Sequence, residues 1–97
     1  MTGEVMKAVD QRLQLLNKVT HMTVYAASGD CGAFADHVFG SLSVSYPGSD
    51  PWAVSVGGTA IITDNSDNRF KEIAWTGIST SSTCATNEWG SGGGLSQ

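Results

Sequence analysis

Ninety-seven residues with 40% hydrophobic and 14% charged side chains, twelve glycines and a net charge of −4 suit one small domain or a section of a larger one. Such a chain buries about 60 to 65% of its unfolded surface. The balance excludes a disordered acidic tail, and five scattered basic residues, Lys7, Arg12, Lys18, Arg69 and Lys71, exclude a phosphate-gripping nucleic-acid surface. No apolar run reaches the roughly 18 residues of a membrane span, and the N-terminus lacks the basic stub and greasy stretch of a signal peptide. Neither nucleic acid nor membrane is expected as a partner.

The first organised segment, "EVMKAVDQRLQLLNKV", has no Gly or Pro. Val5, Val9, Leu13 and Leu16 recur at helical spacing, and Lys7, Gln11, Arg12, Gln14 and Lys18 take other positions. The pattern predicts an amphipathic helix over 4–19, capped by Thr2 or Gly3, with Lys18 favourable near its C-terminal end. A run of β-branched and small residues follows from Met22 to Ser28, closed by Gly29. Its length and continuity predict a strand buried on both faces of a parallel sheet, and helix then buried strand implies an α/β layer architecture.

Asp36 to Asp50 reads as a loop that ends in "YPGSDP", where Pro47-Gly48 is turn chemistry and Pro51 restarts the chain. Tyr46-Pro47 is a candidate cis bond, with trans favoured by the general frequency of X-Pro bonds. Trp52 to Gly58 and Thr59 to Thr63 are extended segments, "TDNSDNRF" is a polar turn, and Phe70 to Trp75 alternates as a further strand. From Thr76 to Gln97 the chain is rich in Ser, Thr and Gly and reads as loop ending in a glycine turn. No repeat or linker divides it, so residues 1–97 form a single unit.

Few constellations here carry chemistry. Cys31 and Cys84 cannot make a zinc site alone; they form one disulfide or two free thiols, and spacing does not choose between these. Asp36 and His37 lie close to Cys31, at no metal-ligand spacing, and no Cys-His nucleophile pair follows. The run Gly90 to Gly94 lacks the Gly-Lys-Ser/Thr of a phosphate loop and the strand and helix context of a dinucleotide loop. Trp52, Trp75 and Trp89 read as core or loop anchors.

The remaining feature is Ser28-Gly29-Asp30-Cys31-Gly32, a carboxylate placed between glycines where a strand ends. By itself this reads as an Asp capping a following turn or helix. In context, "HMTVYAASGDCGA", "VSYPGSDPWAVSVGGTAI", "EIAW" and "WGSGGGLSQ", in that order and covering nearly the whole chain, resemble the middle of a sedolisin. Sedolisins are serine-carboxyl peptidases of subtilisin-like fold. The resemblance implies a section of a three-layer α/β fold with a mostly parallel sheet, an acid-acting serine-type endopeptidase as parent, a peptide or protein substrate and an extracellular location.

By the same resemblance Asp30 is the oxyanion donor of the catalytic site, with Ser28 and Gly29 beside the substrate. A carboxylate cannot donate a hydrogen bond but a carboxylic acid can, which fits action at low pH. The Glu-x-x-x-Asp pair that activates the family's serine has no counterpart here, and neither Glu4 nor Asp10 can be carried over. Val56-Gly57-Gly58-Thr59-Ala60 only imitates the Gly-Thr-Ser of the nucleophile, so Thr59 is not assigned that role. The family's calcium ligands belong to a C-terminal part, so no metal or other cofactor is expected in this chain, and most pocket residues are expected from other segments. Cys31 departs from the family's frequent serine. The expectation is a section inactive on its own; the alternative is a non-catalytic α/β interaction domain that associates, with a partner or with itself, through an exposed sheet edge.

Overall fold

The structure is a computed structural model, and it describes residues 2–35, 41–78, 84 and 87–94. Helix α1 spans Gly3–Thr20, one residue beyond the predicted limits at each end. Thr2 caps it, its hydroxyl accepting from the Val5 amide, Glu4 sits in the first turn and Lys18 in the last, in the sense that the helix dipole favours. His21 ends it in the left-handed region at φ 54°, and its N–H donates to the Leu16 carbonyl.

Strand β1 (Val24–Ala27) runs parallel to β2 (Ala53–Val56), with Tyr25 beside Val54 and Ala27 beside Val56. Between them the chain packs back on α1. The Tyr46 hydroxyl lies 2.9 Å from the Met6 carbonyl and 3.0 Å from Asp50 Oδ2, sharing its proton between them. Asp50, 5% exposed, also accepts from the Trp52 amide at 2.8 Å. Lys18 Nζ stands 5.1 Å from the Trp52 ring centre, within cation–π range. Tyr46-Pro47 is cis, the less frequent of the two isomers the sequence allowed.

Strands β3 (Thr59–Thr63) and β4 (Arg69–Ala74) form an antiparallel hairpin, and β5 (Thr76–Ile78) pairs antiparallel with β6 (Glu88–Gly90). The expected three-layer, subtilisin-like fold with a mostly parallel sheet is therefore overturned: the described residues form one helix and three two-stranded sheets, of which only β1–β2 is parallel. The reason lies in the connections. Parallel neighbours need a crossover of about a dozen residues or more; the chain supplies one between β1 and β2, and the later links, Gly57-Gly58, residues 64–68, Trp75 and residues 79–87, are all shorter than that.

The expectation that β1 is buried on both faces also fails. Tyr25 is 67% exposed, and its neighbours Val54 and Val56 are 45% and 48% exposed. A parallel pair is covered on both faces only when helices are available for both, and the described residues include one. The apolar core among the described residues is correspondingly small: Leu13, Cys31 and Cys84. The whole chain, of 10.1 kDa, exposes 7156 Å², where a compact monomer of that mass exposes about 5,300 Å².

The segment after Thr76, read from sequence as loop, contains β5 and β6. Three-residue strands are too short to display alternation, and these two pair with each other at separations of 10 to 14 residues, without a tight turn between them to mark the pairing. Trp75 and Trp89 meet edge to face across this pair, ring centres 6.1 Å apart. The anchoring role expected for the tryptophans fits these contacts.

Candidate functional site

Ser28 continues the β1 ladder by one bond, its amide donating to the Val56 carbonyl at 2.9 Å. The chain then turns sharply at Gly29, whose φ of +97° suits glycine, and a Cβ there would stand 2.5 Å from Ser45 Oγ. Backbone conformation and space thus both require glycine before Asp30. This turn lies just beyond the carboxyl ends of the two parallel strands.

A second segment, from the far end of the chain, fixes the turn from outside. The Gly90 amide donates to the Asp30 carbonyl at 2.7 Å, the Gly32 amide to the Gly90 carbonyl at 3.0 Å, and the Gly92 amide to the Gly29 carbonyl at 2.9 Å. The approach is close enough that a Cβ on Gly92 would overlap the Ser28 carbonyl at 1.8 Å. Ser91 ties the same segment to the β2–β3 link, its hydroxyl donating to the Gly58 carbonyl and accepting from the Gly58 amide, both at 2.6 Å.

Cys31 and Cys84 are joined in a disulfide, which settles the choice that the sequence left open. Both are buried, at 3% and 1% exposure, and Cys84 Sγ lies 3.9 Å from the Asp30 carbonyl oxygen. A disulfide sulfur carries no hydrogen, so this is a packing contact rather than a hydrogen bond. In contrast to its backbone, the Asp30 side chain is exposed and has no hydrogen-bond or ion-pair partner among the described residues.

Ser28, Gly29 and Asp30 are thus held together at one sheet end. At Ser28, though not at Gly29 or Asp30, opens a cleft of about 280 Å³ lined also by Val44, Ser45, Gly48, Ser49, Ser55, Gly93 and Gly94. The Ser28 hydroxyl is buried and has no hydrogen-bond partner among the described residues. Of the serines lining the cleft, sequence reasoning named Ser28 and not Ser45, Ser49 or Ser55. The signal available was the Ser and Gly content of "VSYPGSD", which reads equally well as an ordinary turn.

Other candidates separate from this site. Thr59 sits in β3, and its hydroxyl donates to Glu72 Oε1 at 2.7 Å across the hairpin. Glu4 belongs to the exposed first turn of α1. Asp36 and His37 lie outside the described residues. Among the described residues no cluster of three or more His, Cys, Asp or Glu side chains could hold a metal ion. At the base of the 46–52 turn, burial, with the Asp50 carboxylate beside it, pushes the Tyr46 hydroxyl up to about 12.

No protein-family model matches the chain, and no solved structure matches it. A stretch of 57 residues is 42% identical to tripeptidyl-peptidase sed5 of Aspergillus fumigatus. That stretch of the chain is similar to part of a sedolisin-type peptidase. The match takes in 59% of this chain and 10% of that protein, so the chain spans about a tenth of its relative's length. Among the described residues no helix is long and apolar enough to cross a membrane.

Proposed function

We propose that this chain is a section of an acid-acting serine-type endopeptidase of the sedolisin kind, and that Asp30 is its oxyanion donor. The observation that carries the reading is the position of Asp30. It stands three residues past the last residue of β1, its backbone tied down and its side chain exposed, two residues after Ser28, which lines a serine-rich cleft. A group that must meet a developing charge needs a fixed backbone and an unengaged functional atom. The partial identity to a tripeptidyl-peptidase supports the same class of chemistry.

In this reading the carbonyl oxygen of a scissile peptide, turning into an oxyanion, accepts a hydrogen bond from the Asp30 carboxyl in its protonated form. Ser28 and Gly29 border the substrate, and the cleft takes a substrate side chain. The serine nucleophile and the Glu/Asp pair that activates it are supplied by polypeptide beyond these 97 residues. A disulfide fits an oxidising, extracellular setting for the parent.

A second reading, a non-catalytic domain that associates through a sheet edge or face, is favoured by one observation. The contiguous apolar face of Tyr25, Val54 and Val56 is exposed. Reading the coding sequence in frame on both sides separates the two. An upstream Glu-x-x-x-Asp and a downstream Gly-Thr-Ser support the peptidase section; stop codons at both ends remove it. The 97-residue chain alone is expected to leave a denatured protein substrate uncut at pH about 3 to 5, where carboxyls protonate.

A further inference from the structure

The Cys31–Cys84 disulfide is placed where it can do more than hold the chain together. It joins the residue after Asp30 to the segment that leads into β6, and from the end of β6 and the residues just after it come the Gly90 and Gly92 amides that grip the Asp30 and Gly29 carbonyls. Nothing else described binds Asp30 itself: β1 ends at Ala27, and the ladder to β2 closes at the amide of Ser28. The position of Asp30 is therefore set from the far end of the sequence, across a separation that chain entropy resists.

We infer that Cys31–Cys84 is a positioning disulfide for Asp30, so that its oxidation state decides whether the carboxyl is held at the end of β1. The catalytic meaning of this rests on the reading of Asp30 as oxyanion donor; the mechanical claim does not. Reduction by a dithiol breaks the Cys31–Cys84 S–S bond. Two electrons and two protons pass to the cysteine sulfurs, and the reductant's two thiols close into a disulfide of their own. Without the link, the bonds described between Gly29, Asp30 or Gly32 and Gly90 or Gly92 are three backbone hydrogen bonds, each of modest net worth against the entropy of closing so long a loop. The β3–β4 hairpin shares none of these bonds and keeps its structure.

The test uses the 97-residue chain, isotope-labelled, oxidised and then reduced with dithiothreitol. Amide exchange at Gly32, Gly90 and Gly92 is expected to accelerate by about tenfold or more on reduction, while the cross-strand amides of β3 and β4 change less than about twofold. The carboxyl-carbon resonance of Asp30 is expected to shift and broaden, that of Asp64 to stay in place, and reoxidation to restore both. The double variant Cys31→Ser and Cys84→Ser should match the reduced chain.

Equal acceleration at every amide would reduce the disulfide to a global staple and overturn the proposal, as would unchanged exchange and an unchanged Asp30 resonance. Should Asp30 prove dispensable for peptide cleavage while the exchange result holds, the peptidase reading fails and the positioning device stands.

Discussion

In the β3–β4 hairpin the ties are local, whereas at the end of β1 they reach across most of the chain. The hairpin turn is organised by Asp64, which accepts from the amides of Ser66 at 2.8 Å and Asn68 at 3.1 Å, while Arg69 pairs with Glu72 three residues on. The end of β1 depends on Val56, on Gly90 and Gly92, and on Cys84. Local ties form early and tolerate the loss of distant structure; long-range ties are lost together. The candidate catalytic group sits in the second kind of region, so its geometry is the part of this molecule most open to control and to damage.

The largest blow to that contrast is reduction of the disulfide. Linking residues 53 apart in sequence is worth about 4 kcal/mol by the loop-closure relation, which is a large share of what so small a core can supply. Denaturant titration of oxidised and reduced chain measures it. The account expects the loss in the transition of the β1–β2 region; a hairpin transition that falls equally would erase the distinction between the two regions.

A smaller effect is expected where α1 meets the 46–52 turn. Asp50→Ala strands the Trp52 amide and takes a partner from the Tyr46 hydroxyl, a cost of roughly 1 to 3 kcal/mol. The same contact has an alkaline signature. Because Tyr46 is raised from its ordinary 10.0 to about 12, its stabilising effect is complete below pH about 10 and disappears as pH rises through about 12. A phenolate absorbance titration should show a component near 12 that is absent from Tyr46→Phe.

The smallest effect belongs to the hairpin. The Ser66 amide, followed by that of Asn68, lowers the Asp64 carboxyl below its usual range. A depressed carboxyl stabilises above its unfolded value, about 4, and that contribution fades as pH falls through the lower folded value. Asp64→Ala should therefore loosen the 64–68 turn at neutral pH, lose its effect in strong acid, and leave the amides of Gly90 and Gly92 unchanged. Exchange rates measured at the two pH values check this.

How much of this was legible in the sequence follows the same division. The helix, the polar turn after Thr63 and the extended segments around it were readable, because periodicity and turn chemistry are local signals carried by residues such as Leu13, Leu16, Asp64 and Asn68. Asp30, Ser28 and Gly29 stood out for the same reason, a carboxylate between glycines at a strand end. What pairs with what was not legible: three-residue strands such as Glu88–Gly90 carry no pattern, and Cys31 and Cys84 are marked by no spacing rule. The resemblance to a larger, mostly parallel fold led to the wrong sheet because the connections after β2 are too short for crossovers. Ser45, Ser49 and Ser55 were invisible as a group, since only the fold brings them around one cleft.

The measurement that bears most directly on the central claim is the rate of peptide cleavage by the in-frame polypeptide that contains these residues, with Asp30 intact and as Asp30→Ala. The account predicts a fall of about 10²- to 10³-fold in kcat at acid pH with KM little changed, the loss typical of one oxyanion donor. An Asp30→Ala protein that cleaves at the unaltered rate would contradict it.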